Sequence, residues 1–255
     1  MIKLPKNKTP KQYDPHKMRL VVYGKEGIGK STFASHFKDP LFIATEAGLT
    51  GLSVYQTHED GSAVTSWEEF RDLCVHLATQ PHEWSTVVVD TLDNVTRLCV
   101  EYTEKRHNVD QLHGQRNSAA LWGFVKTQVT QALETLMAGP YGVIFISHER
   151  DTTIEAATGR EVGMMDRPKG DVFLRHVPSG GSSYRAIKGA ADLILRAAMD
   201  MKTGERVLQC QPSISHIAKD RTGVLPDALP LCYEDFLECF RSALKKERSA
   251  EKGKE

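Results

Sequence analysis

No apolar run in this 255-residue chain approaches the roughly 20 residues needed to cross a bilayer. The leading stretch, MIKLPKNKTPKQYDPHK, is basic and polar and lacks the apolar segment of a secretory leader, so the expectation is a cytoplasmic protein. Cysteine is sparse. Cys74, Cys99, Cys210, Cys232 and Cys239 form no C-x-x-C pair and have no histidine at zinc spacing, so they read as reduced, mostly buried thiols. His107 and His113 are not at helix-face spacing for a metal. Neither sign of charge dominates, with Lys plus Arg and Asp plus Glu at 33 each. Any contact with nucleic acid must therefore come from a local patch. With 40% hydrophobic residues the chain can fill a core, and its length fits one α/β domain with additions.

What is present is concentrated in Val21 to Ser35, VVYGKEGIGKSTFAS. A β-branched run breaks at Gly24, and a glycine-rich turn delivers Lys30, Ser31 and Thr32 to the start of an amphipathic helix. Gly24 to Ser31 matches G-x-x-x-x-G-K-[ST] at every fixed position, in the strand-to-helix context the pattern requires. The loop Gly24, Lys25, Glu26, Gly27, Ile28 and Gly29 can then aim successive backbone N–H groups at phosphate oxygens. The positive end of the helix adds to the same anion site. Lys30 is expected to reach the β- and γ-phosphates and the Ser31 hydroxyl to ligate Mg²⁺, with Thr32 a first-turn residue.

Further along, Leu41 to Ala44 reads as a short buried strand ending in Thr45-Glu46. Open parallel sheets bind ligands at such strand ends. Glu46 is thus a candidate to orient or deprotonate an attacking water, with a plain surface glutamate as the alternative. Ser66 reads as a helix N-cap with Glu69 as its capping-box partner, and Trp67 and Phe70 as core anchors. In Ser85 to Asp93, STVVVDTLD, three valines make a central strand, and Asp90 at its end is expected to hold Mg²⁺. Asp93 is either an outer ligand of that ion or a helix cap. Leu121, Val125, Val129, Leu133 and Leu136 form one helical face. Tyr141 to Ile146 is a buried strand that ends in Ser147 and His148, candidates to sense the nucleotide state.

Beyond Arg150 the pattern loosens to about residue 190. Short strands or a mobile hairpin are expected there, with Ser179 to Ser183 (SGGSS) as a disordered tip. Arg160, Arg167, Lys169, Arg175, Arg185 and Lys188 make this segment basic. Strands are expected again at Ala191 to Leu195 and Arg206 to Cys210. Ser215 to Leu225 reads as a strand passing into a turn. Its Lys219 and Arg221 either reach a neighbouring subunit's γ-phosphate or sit on a solvated hairpin. The organisation implied is a flexible basic arm over 1–17, a core over 18–240 with a long loop at about 150–190, and a charged tail over 241–255.

These residues together resemble the RecA-like P-loop ATPases, most closely the compact phage-encoded ATP-binding proteins, some of which act as single-strand annealing or recombination-mediator proteins. The likeness runs from about Met18 to about Pro230. GKEGIGKST corresponds to the phosphate loop, and LFIATEAGL is similar to the segment that carries the family's catalytic glutamate, here Glu46. VVVDTLDNV is similar to the Mg²⁺ strand and VIFISHER to the sensor strand. AKDRTGVLP looks like the element with which hexameric helicases reach the adjacent site, here through Lys219 and Arg221.

The resemblance implies a central, mostly parallel β-sheet flanked by helices on both faces, and Mg²⁺-dependent ATP hydrolysis. It implies a ring or filament of copies of the chain, with single-stranded DNA as a partner and DNA-binding loops near residues 105 to 118 and 150 to 190. A role in phage recombination or replication follows, within a bacterial host, beside a phage single-strand-binding protein and away from any membrane. Ser147-His148 stands where the family has a glutamine, and no stretch reads as a separate DNA-binding domain. Lys25 is also similar to the signature lysine of ParA/MinD-type ATPases, although Glu26 replaces a glycine expected there. That likeness implies a nucleotide-switched module that assembles on a protein partner without DNA.

Overall fold

A computed structural model describes residues 14–252 except 164–165 and 167–169, with side chains as far as residue 246. Residues 1–13 of the expected arm, together with Arg167, Lys169 and residues 253–255, lie outside the described residues. In chain order the first elements are β1 (Arg19–Gly24), α1 (Lys30–Ser35), β2 (Pro40–Ala44), β3 (Tyr55–Gln56), α2 (Trp67–Thr79) and β4 (Thr86–Asp90). Then come α3 (Leu92–His107), α4 (Ser118–Met137), β5 (Gly142–Glu155), β6 (Val172–Pro178) and α5 (Gly181–Ile187). The chain continues through β7 (Leu193–Met199), β8 (Arg206–Gln209), β9 (Lys219–Asp220), β10 (Ala228–Pro230) and α6 (Tyr233–Lys252).

The sheet runs β10-β8-β7-β1-β5-β4-β2-β3. From β7 to β3 every neighbouring pair is parallel, and β8 and β10 add antiparallel strands at the other edge. The central strands are apolar at nearly every position because both faces are covered. Alternation decides which core each side chain joins. Val21, Tyr23, Val87, Val89, Val143 and Phe145 pack with α2 to α5. Leu20, Val22, Val88, Ile144 and Ile146 face the opposite way, onto the layer built from α1 and α6. This is an α/β P-loop NTPase fold with helices on both faces of a mostly parallel sheet.

The stretch Gly48 to Gly61, expected as a loop, contains the short β3, and β10 pairs with β8, two strands the sequence did not reveal. The chain 150–190 is ordered where described. β5 runs on past His148 and forms a hairpin with β6, in register from Glu149 opposite Pro178 to Glu155 opposite Val172. The expected disordered tip is corrected outright. Ser182 and Ser183 are buried on α5, and Ser183 Oγ lies 2.7 Å from Thr96 Oγ1 of α3. Pro15–Lys17 forms a 3-10 turn against β5, so close that a β-carbon on Gly142 would lie 2.3 Å from the His16 carbonyl oxygen. The core therefore begins a few residues before 18. At the other end, the expected tail continues α6 as far as Lys252.

Among the described residues no helix is long and apolar enough to cross a membrane. Cys74, Cys99 and Cys210 are buried free thiols, and Cys232 and Cys239 are half-buried.

Candidate nucleotide site

Sheet order brings the strand ends together. β5 lies between β1 and β4, and β4 lies beside β2, so Gly24, His148, Asp90 and Ala44 end side by side. They border a cleft of about 570 Å³ lined by Lys30, Ser31, Glu46, Asp90, His148 and by Glu26, Gly27 and Gly29 of the loop, among others.

The phosphate loop folds as its glycines require. Gly27 and Gly29 have φ of +70° and +108°, values that L side chains rarely adopt. Gly24 is glycine for a different reason, since a β-carbon there would sit 2.2 Å from the Ala197 carbonyl oxygen of β7. Lys30 is buried, and its Nζ donates to the carbonyl oxygens of Gly24 and Lys25, both at 2.9 Å. Burial holds its pKa below the ordinary lysine value, with Asp90 opposing. Among the described residues the ammonium group hydrogen-bonds only to these two carbonyls, which a phosphate would replace.

Ser31 Oγ donates to Asp90 Oδ2 at 2.6 Å. Burial raises the Asp90 pKa, and the Ser31 hydrogen bond opposes the rise. A buried carboxylate beside a hydroxyl suits a divalent cation, which would offset the desolvation. Thr91 follows Asp90 on the cleft wall, and its buried Oγ1 has no hydrogen-bond partner among the described residues. These donors fit Mg²⁺ and its water shell: Ser31 and Asp90 would hold the ion, with Thr91 left to bond a coordinated water.

Glu46 stands across the cleft at the end of β2. Asn94 Nδ2 donates to its Oε2 at 2.9 Å, and His148 Nε2 lies 3.2 Å from its Oε1. Both carboxylate oxygens are therefore occupied. The buried Nδ1 of His148 has no partner among the described residues. Asp93 accepts from the His148 backbone N–H at 3.0 Å and from the Ser179 hydroxyl. It anchors the base of the β5–β6 hairpin to α3, while burial raises its own pKa.

Not all expected residues meet here. Lys25 and Ile28 line a second depression, of about 680 Å³, on the far side of the loop with Arg196 and Glu149. Lys219 and Arg221 lie at the other end of the sheet. β9 pairs with Leu193 and Ile194, which face Leu20 and Val21 of β1 rather than Gly24. Lys219 Nζ donates to the carbonyls of Lys188, Gly189 and Ala191, and Arg221 binds those of Gly189 and Ala190. Neither serves the cleft of its own chain. Of the basic segment, Arg185 and Lys188 belong to α5 and its cap, while Arg160 and Arg175 lie on or beside the hairpin.

The sequence did not reveal Asn94 or Arg206. Asn94 lies in the first turn of α3, beyond the end of β4 at Asp90, so no single helical spacing links the two, and its partner Glu46 lies far away in sequence. Arg206 opens β8 and lines the cleft from the other side, and nothing in its neighbourhood in sequence marks it.

The fold and the phosphate-loop geometry define a P-loop NTPase domain. The family model named AAA_24, an AAA domain, matches residues 16–222, and the chain belongs to that family of P-loop ATPase domains. It is similar to the SPbeta prophage-derived uncharacterized protein YorG of Bacillus subtilis (strain 168), at 23% identity over 133 residues. That match takes in 51% of this chain and 40% of the length of YorG. Among solved structures it is similar to the RadB recombinase, at 17% identity with a TM-score of 0.37, covering 76% of this chain and 80% of that one.

Proposed function

We propose that the protein binds and hydrolyses ATP with Mg²⁺, and that turnover is coupled to binding or annealing single-stranded DNA in phage recombination or replication. The observation that carries the first part is the convergence of Lys30, Ser31 and Asp90 on one cleft wall with Glu46 opposite. Bound Mg²⁺ supplies charge neutralisation at the phosphates. Lys30 exchanges the Gly24 and Lys25 carbonyls for phosphate oxygens. Glu46 orients a water and takes its proton, which requires it to exchange at least one of its bonds to Asn94 and His148. His148 is both a partner of Glu46 and the base of the β5–β6 hairpin, so it relates events at the hairpin to the water-activating carboxylate.

The DNA part draws on the hairpin itself. Val172, Phe173 and Leu174 are exposed on β6, and the same hairpin carries Arg150 and Arg160, paired with Glu161 and Asp166, and Arg175, which donates to the Ser213 carbonyl. Exposed aromatic surface among cations is the composition that single strands stack on. The relative YorG is named as prophage-derived, which agrees with a phage setting. The same apolar strip favours a second reading, a nucleotide-switched module that docks a protein partner without DNA. Lys219 and Arg221 would act on the cleft of another copy in a ring or filament.

Measuring ATP turnover with and without single-stranded DNA tests this. The DNA reading expects stimulation, and binding that weakens steeply with salt. No stimulation and no binding at low salt would leave the switch. Mixing Arg221→Ala with Glu46→Ala chains should restore some turnover if sites are shared between copies; failure to complement rejects action in trans.

A further inference from the structure

The side chain of Arg206, the first residue of β8, has no hydrogen-bond or ion-pair partner among the described residues, while its backbone carbonyl accepts from the Leu231 N–H. Its side chain nevertheless lines the same cleft as Lys30 and Ser31. A β-carbon built on Gly29 would lie 3.4 Å from Arg206 Nη1 and 3.4 Å from Leu231 Cδ2. The guanidinium thus rests against the backbone of the phosphate loop, with an apolar side chain beside it. Arg206 is solvent-exposed, and its unpaired guanidinium is open to an anion that enters the cleft.

Strand order says which part of the anion it meets. β5, β4 and β2, which carry His148, Asp90 and Glu46, lie on one side of β1; β7 and β8 lie on the other. A triphosphate with its terminal phosphate near Asp90 and Glu46 runs its nucleoside end toward β7 and β8. We propose that Arg206 is a phosphate-binding residue supplied by the chain to its own cleft, contacting the α- or β-phosphate of the nucleotide. The planar fork of a guanidinium suits two phosphate oxygens at once. Because those phosphates remain after hydrolysis, Arg206 holds the diphosphate as firmly as the triphosphate. This inference rests on the nucleotide reading given above.

The test is calorimetric titration of Mg·ATP and Mg·ADP into the full chain as wild type, Arg206→Ala and Arg206→Lys. Arg206→Ala should weaken both nucleotides in parallel by about 10- to 100-fold with an unchanged circular dichroism spectrum, the loss expected for a charged hydrogen bond. Arg206→Lys should fall between, since it keeps the charge without the fork. Wild-type affinity for both nucleotides in Arg206→Ala overturns the assignment, and so does a loss confined to ATP, which would put the contact at the γ-phosphate. If Arg206→Ala does not fold, Arg206→Gln is held to the same outcomes. Failure of the wild type to bind either nucleotide is a separate result, and it overturns the nucleotide reading itself.

Discussion

Ser31 and Asp90 are 59 positions apart, and their side chains meet at 2.6 Å. The contact joins the start of α1 to the end of β4 across β5 between them, and puts a buried carboxylate on the wall of the cleft.

Asp90→Asn should raise the melting temperature of the ligand-free protein at neutral pH while abolishing Mg²⁺ binding. Burial raises the folded-state pKa of Asp90 above its unfolded value. Between the two values the native state binds more protons than the unfolded chain, so stability falls as pH rises through that window. The ionised carboxylate therefore destabilises the empty protein, and the cation offsets this. Thermal melts of both proteins with and without Mg·ATP check it. A lower melting temperature for ligand-free Asp90→Asn would reject it.

Glu46→Gln should keep nucleotide affinity and lower turnover by about 10²- to 10⁴-fold, the usual contribution of a general base. Asn94→Ala frees Oε2 of the same carboxylate and should change turnover with little effect on nucleotide affinity. Steady-state ATPase assays beside titrations separate the two effects. Equal turnover in Glu46→Gln and wild type would remove Glu46 from the chemistry.

Gly24→Ala should destabilise the fold as well as the site. The added methyl group would meet the Ala197 carbonyl oxygen at 2.2 Å. Overpacking of this kind costs about 1–3 kcal/mol, read in a denaturant titration. Gly48→Ala is the control, because no atom lies within 4 Å of a β-carbon there.

Phe236→Ala should cost about 3–5 kcal/mol, as expected for a large buried aromatic. Phe236 of α6 is fully buried, with ring centroids 5.5 Å from Phe33 and 5.9 Å from Phe37. Phe33 belongs to α1, so α6 backs the helix that carries Lys30 and Ser31. Nucleotide affinity should fall with stability, measured by titration below the new melting point.

Local chemistry made half of the site legible. The strand, glycine loop and helix around Lys30 are contiguous, and Glu46, Asp90 and His148 each end an apolar run that reads as a buried strand. Arg206 and Asn94 act through neighbours distant in sequence. Placing Arg206 requires knowing that β8 follows β7 on the side of β1 away from Asp90. Ser179 to Ser183 misled for a different reason. Small residues mark both loop tips and tight contacts, and Gly180 serves the second use: a β-carbon there would come within 3.2 Å of Leu92. The hairpin was expected in kind, but its register depends on pairing with β6 that no local pattern encodes.

Calorimetry with Mg·ATP on the wild type and on Lys30→Ala tests the central claim most directly. The wild type should bind one nucleotide per chain, and Lys30→Ala should lose that binding while keeping its circular dichroism spectrum. No heat of binding in the wild type at saturating ATP, or equal affinity in Lys30→Ala, would contradict it.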